Sequence, residues 1–193
     1  MPFRYDKQAA MQAHPMWYNG TKYRSKLEAK TAQALDNIGI PYVYEPSGYQ
    51  LSNGIWYRPD FYLTQCGQFI ECKGVMQNKD SAKVVGLVQD TGSQVLVVSY
   101  DNAMLVTKFF NLPEESVVTY DEYICIGRCD ECDALFFYSL EDTYACPACG
   151  AYDGDHLIST VTEIGSGKQL FDYGQEVAAD DPVYQRIAND FNV

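Results

Sequence analysis

Trp56-Tyr-Arg-Pro-Asp-Phe-Tyr-Leu-Thr-Gln-Cys-Gly-Gln-Phe-Ile-Glu-Cys-Lys73 carries Pro-Asp on one side of a Cys66-Gly67 turn and Glu-x-Lys on the other. The pattern predicts two strands, one over 55–63 and one over 68–73. Side chains alternate along a strand, so Glu71 and Lys73 take one face while Ile70 and Cys72 take the other. The same alternation groups Arg58, Asp60 and Tyr62, with Tyr57, Phe61 and Leu63 opposite. Neighbouring strands bring facing residues close together, so Asp60 and Glu71 are placed to share one hard cation. Mg²⁺ suits such a pair, because one or two carboxylates, retained waters and a substrate phosphate complete its shell. The metal would polarise a phosphate and help generate hydroxide. Lys73 would orient the water or stabilise charge on the phosphoryl oxygens.

Working outward, Asn53-Gly54 is a hairpin turn, so 48–52 should pair with 55–63. Tyr42-Val-Tyr44 is a short strand. Before it, Leu27, Thr31, Ala34, Leu35 and Ile38 recur at helical spacing until Gly39 and Pro41 stop the pattern. Residues 1–20 read as irregular, ending in Asn19-Gly20. Downstream, Asp80 or Ser81 caps a second helix carrying Val84, Val85 and Val88. The β-branched run at 94–99 is a buried strand, and 101–127 is ambiguous. The order is helix, antiparallel strands, helix, strand. That is an α/β fold, a mixed sheet with a helix on each face.

Glu28 projects from the first helix beside its buried stripe, where it would reach the metal directly or through water. It has a plainer reading too: Ser25-x-x-Glu28 is a capping box, in which Glu28 bonds the Ser25 amide. Asp60 after Pro59 also reads as a turn residue. Glu71 and Lys73 also read as a surface ion pair, worth little. Lys22, Arg24, Lys26 and Lys30 form a basic cluster, either a solvated helix face or a phosphate contact. Glu45 reads as a supporting group, and His14 and His156 as ordinary surface residues.

Arg24-Ser-Lys-Leu-Glu28, Tyr44-Glu-Pro46, Trp56-Tyr-Arg-Pro-Asp-Phe61 and Phe69-Ile-Glu-Cys-Lys-Gly74 together resemble the PD-(D/E)xK nuclease superfamily. The likeness covers residues 20–100 and is nearest the small phage and prophage members, more distantly the TnsA-like transposon endonucleases. It implies a restriction-endonuclease-like core and DNA cleavage with Mg²⁺ or Mn²⁺. Asp60 and Glu71 would be the metal ligands, with Lys73 and Glu28 completing the catalytic set. Lys22, Arg24 and Lys26 are candidate DNA contacts. Cys72 departs from the Val or Ile more usual at its position.

Four of the seven cysteines form Cys129-x-x-Cys132 and Cys146-x-x-Cys149, separated by thirteen residues. Two such turns close a tetrahedral Zn²⁺ site, and four thiolates argue for a structural role. The spacer should form a hairpin between the knuckles, and a ribbon this small should bury little core. Cys66, Cys72 and Cys125 stand alone, so reduced thiols plus a metal fit better than a disulfide framework.

The expected division is therefore 1–122 as nuclease-like domain, 123–162 as zinc ribbon and 163–193 as acidic tail. In that tail Gly165-Ser-Gly167 is a flexible break and 181–191 a short helix. The net charge of −12 is uneven: residues 1–110 hold 11 Lys/Arg against 9 Asp/Glu, and 111–193 hold 3 against 17. The acidic half repels DNA and suits a protein partner, so the first half is where DNA would approach. A homodimer is compatible with the sequence. With no apolar run long enough for a membrane span and no apolar leader, a cytoplasmic location is expected. Two other readings stay open: a non-catalytic DNA- or protein-binding adaptor, and an acidic DNA mimic.

Overall fold

Asn19 and Gly20 both have positive φ, 46° and 75°, the backbone of a tight two-residue hairpin turn. They join β1 (Met16–Tyr18) to antiparallel β2 (Thr21–Tyr23), so part of the stretch read as irregular is a hairpin. The computed structural model describes residues 14–100, 102–108, 117–141, 144–152, 154, 157–164 and 167–172. Helix α1 (Lys26–Ile38) starts at Ser25, whose hydroxyl accepts the Glu28 amide at 3.1 Å, and stops at Gly39 with φ 84°.

The expected long hairpin is shorter than read. Only β4 (Tyr49–Gln50) and β5 (Trp56–Tyr57) pair around Asn53-Gly54. Pro59 has no N–H to give a ladder, and the chain leaves the strand across Arg58-Pro59-Asp60. It re-enters in the main sheet as β6 (Phe61–Leu63), between β3 (Tyr42–Tyr44) and β7 (Phe69–Cys72). The small hairpin is fastened to the next helix, α2 (Asn78–Thr91): the Ser52 amide and hydroxyl donate to Asp90 at 2.7 and 2.6 Å. That helix starts earlier than read. Gln77 is its N-cap, and Asp80 lies inside the first turn, accepting the Gln77 amide.

Strands β8 (Val95–Val98), β9 (Ala103–Lys108) and β10 (Val117–Tyr120) complete a six-stranded sheet of order β10-β9-β8-β7-β6-β3. Only the β7–β8 pair is parallel, because α2 crosses over between those strands. One face packs α1 against Ile70, Cys72, Leu96 and Val98, and the other packs Val84, Leu87 and Val88 of α2 against Phe69, Val95 and Val97. The architecture is thus α/β with a mixed sheet between two helices.

The cysteine segment continues this core rather than hanging from it. Strands β11 (Ile124–Cys129), β12 (Leu135–Ser139) and β13 (Ile158–Glu163) form a sheet of order β12-β11-β13. Among the described residues, the spacer between knuckles supplies one strand, paired back to β11, where a hairpin between the knuckles was expected. Its burial is larger than expected: Ile124, Ile126, Phe136, Phe137 and Tyr138 belong to the same apolar cluster as Leu27, Leu35 and Ile70. Gln68 clamps the join, donating to the Phe137 carbonyl at 2.6 Å and accepting its amide at 2.8 Å. Gly167, read as part of a flexible break, begins α3 (Gly167–Asp172), whose Leu170 and Phe171 are buried in that cluster. The helix expected over 181–191 lies outside the described residues. No described helix is long and apolar enough to cross a membrane.

Candidate functional site

The antiparallel register pairs Phe61 with Ile70, which sets Asp60 opposite Glu71 at the mouth of β6 and β7. Both are only 3% exposed. One Asp60 oxygen accepts the Cys72 amide at 2.7 Å, and the other takes the Arg24 guanidinium at 2.5 Å. Glu71 accepts the Tyr57 hydroxyl at 2.5 Å on one oxygen and meets the Lys73 ammonium at 2.8 Å on the other. The shared face expected for Glu71 and Lys73 is therefore present. The face expected for Tyr57 is not: the Pro59 break resets the alternation, so Tyr57 points to the Glu71 side.

Burial, and then the charge of Glu71, pushes the Asp60 carboxyl up to about 7. Burial and Glu71 also hold the Tyr57 phenol far above its usual range, so it remains a donor. Burial pulls Lys73 down, but Glu71 and Asp60 outweigh it and the ammonium stays charged. Two desolvated carboxylates side by side repel, and a divalent cation relieves that repulsion. Together with waters and a phosphate, they are a sufficient donor set for Mg²⁺.

Glu28 is placed differently. It is buried in the first turn of α1, accepting the Ser25 hydroxyl at 2.9 Å, the Tyr44 hydroxyl at 2.5 Å and the Arg24 amide at 3.1 Å. The capping interaction exists, with the Arg24 amide standing where the Ser25 amide was expected. Among the described residues, the only three or more metal-ligating side chains with ligand atoms within 4.8 Å of one another are the four cysteines. Glu28 thus does not join Asp60 and Glu71 in a three-carboxylate cluster.

Arg24 lies at the centre of the acids. Its Nε is 2.9 Å from Glu45 and 3.8 Å from Glu28, while its Nη2 holds Asp60. Glu45 has φ 47°, a conformation that costs a non-glycine residue about 1–2 kcal/mol. It is held there by its amide donating to the Asp60 carbonyl at 2.7 Å and by its carboxylate bridging Arg24 and Arg58, the latter at 3.1 Å. Of the basic cluster, Lys22 and Lys26 are exposed and Lys30 lies over the Phe171 ring, 5.8 Å from its centroid. None of these three lines the cleft above the acids. The cations that do are Arg24, Arg58, Lys73 and Lys83, around about 600 Å³ of open space.

Arg58 shares the Asp60 face that alternation gives, whereas Tyr57, Tyr44 and Lys83 carry no signal as site members in the sequence. Their roles depend on the Pro59 break, the Glu45 turn and the position of α2, none of which has a periodic signature.

The second centre is the cysteine cluster. Cys129 and Cys149 sulfurs are 3.6 Å apart, as are those of Cys132 and Cys146. A tetrahedral thiolate site with metal–sulfur bonds of about 2.3 Å has edges of about 3.8 Å. The four cysteines are positioned to bind one metal ion.

Searches against family models, curated proteins and solved structures match this chain to none of them.

Proposed function

We propose that the chain is a Mg²⁺- or Mn²⁺-dependent deoxyribonuclease, an endonuclease with a restriction-endonuclease-like core and a structural Zn²⁺ ribbon. The observation that carries this reading is the facing, buried pair Asp60 and Glu71, with the Lys73 ammonium 2.8 Å from Glu71, at the base of a cation-rimmed cleft. Asp60 and Glu71 would hold the metal, which supplies charge stabilisation and an activated water. Lys73 would orient that water or meet the charge growing on the phosphoryl oxygens. Tyr57 fixes the rotamer of Glu71. Glu28 sets the α1 terminus and the Arg24 backbone, and so acts on the metal site through Arg24. Zn²⁺ in the four cysteines would serve folding, since no ligand position is left open. DNA is the proposed partner, and the acidic second half offers a protein partner its surface.

One observation favours the adaptor reading: the Arg24 guanidinium pairs with Asp60 at 2.5 Å and so competes with any cation for that carboxylate. Calorimetric titration separates the two. The nuclease reading predicts Mg²⁺ and Mn²⁺ binding that disappears in Asp60→Ala and Glu71→Ala. An adaptor predicts no such binding, or binding indifferent to both substitutions.

A further inference from the structure

Trp56 is the largest apolar side chain at the cleft and is 64% exposed. Its neighbour on β5, Tyr57, turns inward to Glu71, while Trp56 turns out to the rim. The indole is seated on the backbone of Gly48: a Cβ added there would lie 2.4 Å from Cζ2 and 2.8 Å from Cε2 of the ring. Any side chain at position 48 would push the ring off its seat. One side of the indole is thus backed by Gly48, and the exposure lies on the remainder. The hairpin that carries it is anchored to α2 through Ser52 and Asp90, so the platform is fixed relative to the acids. Arg24, Arg58, Lys73 and Lys83 line the same cleft.

An open aromatic face beside cations that hold phosphates is how proteins grip single strands, since every base offers a π-face to stack on. A base inside a duplex has both faces covered by its neighbours and must be extruded before it can stack on protein. We infer that Trp56 forms a base-stacking subsite, and that the cleft takes DNA with an unpaired nucleotide next to the phosphate held at Asp60 and Glu71. This rests on the nuclease reading and narrows its substrate to DNA carrying a single-stranded or unstacked nucleotide at the cut site.

The test is binding of fluorescein-labelled oligonucleotides followed by anisotropy, with Ca²⁺ replacing Mg²⁺ so that the carboxylates are metal-loaded while cleavage is suppressed and the cysteines keep their Zn²⁺. The probes are a single strand, a duplex with a single-stranded flap, and a fully paired, blunt-ended duplex. Trp56→Ala is expected to weaken the first two by about 5- to 150-fold, the range that loss of one stacked base gives, and to leave the paired duplex unchanged. Trp56→Phe should recover most of the loss, separating stacking from a folding defect. The chain has two tryptophans, Trp17 and Trp56, so in a Trp17→Phe background the single strand should also quench Trp56 emission. Equal single-strand and flap affinities in Trp56→Ala and the parent overturn the subsite and leave the nuclease reading standing. Loss of paired-duplex affinity by the same factor also overturns it. Failure of the parent to bind any DNA overturns both.

Discussion

Asp60 is buried, faces a second acid, pairs with an arginine through one oxygen and accepts a backbone amide on the other. Its raised carboxyl pKa sets a pH dependence with a definite sign. The fold favours the protonated form, so this group stabilises the metal-free protein below its ordinary value near 3.8, and that contribution fades as pH rises through about 7. A divalent cation needs the ionised form, so Mg²⁺ affinity should climb with pH up to about 7 and then level. Melting curves across that window, with and without Mg²⁺, check both halves. Without metal the melting temperature should fall with rising pH by more in the parent than in Asp60→Asn. With Mg²⁺ the stabilisation should grow with pH in the parent and be absent in the variant. At this scale much was legible: Asp60, Glu71 and Lys73 come together as strand alternation and a Pro-Asp/Glu-x-Lys spacing suggest. Glu28 was legible only as an ambiguity, and its three hydrogen bonds show the capping role. Arg24 reads in the sequence as part of a basic cluster, either a solvated helix face or a DNA contact. Its guanidinium turns inward instead, because three carboxylates converge on it.

The elements explain what alternation missed. Counting by twos through 55–63 assumes an unbroken strand, but Pro59 cannot donate to a ladder and the chain steps between sheets there. That step reverses the face of Tyr57 and places it on Glu71. Gln77, with no N-cap signature of its own, begins α2 because Asp80 three residues on accepts its amide. Helix α1, the Asn53-Gly54 turn and the buried run at β8 were readable because each rests on a local rule: a serine cap with a glycine stop, a left-handed turn, a continuous β-branched stretch. The join between the main sheet and β12 rests on no local rule. It depends on Gln68, which satisfies both backbone groups of Phe137 from a residue far away in sequence. Gln68→Ala should orphan that buried amide and carbonyl at about 1–3 kcal/mol each, lowering the melting temperature by about 2–4 °C per kcal/mol. Since both sheets share one apolar cluster, calorimetry should show a single lowered transition. A second, separate transition for the cysteine segment would contradict the shared core.

Over the whole molecule, charge and core divide the chain in different places. The charge divides near residue 110, with the basic excess on the side that carries the cleft. The core does not divide there: the strands of the cysteine segment pack into the cluster beneath α1, while a second cluster lies beneath α2 on the other face of the main sheet. A ribbon of that size read alone promises little burial, and only its packing against the main sheet supplies the rest. The metal held by four cysteines would therefore brace the same body that aligns Asp60 with Glu71. The most direct measurement is cleavage of a DNA panel, spanning single strands, flaps, junctions, nicked and fully paired duplexes, in Mg²⁺ and in Mn²⁺. The parent should cut at least one unpaired-nucleotide substrate internally and should be silent when Mg²⁺ and Mn²⁺ are omitted. Asp60→Ala and Lys73→Ala should lose cutting by at least the roughly 100-fold expected for removing a principal electrostatic group, while melting as folded proteins. Cutting that persists undiminished in both variants, or a folded, metal-loaded parent that cuts none of the panel, would contradict the assignment.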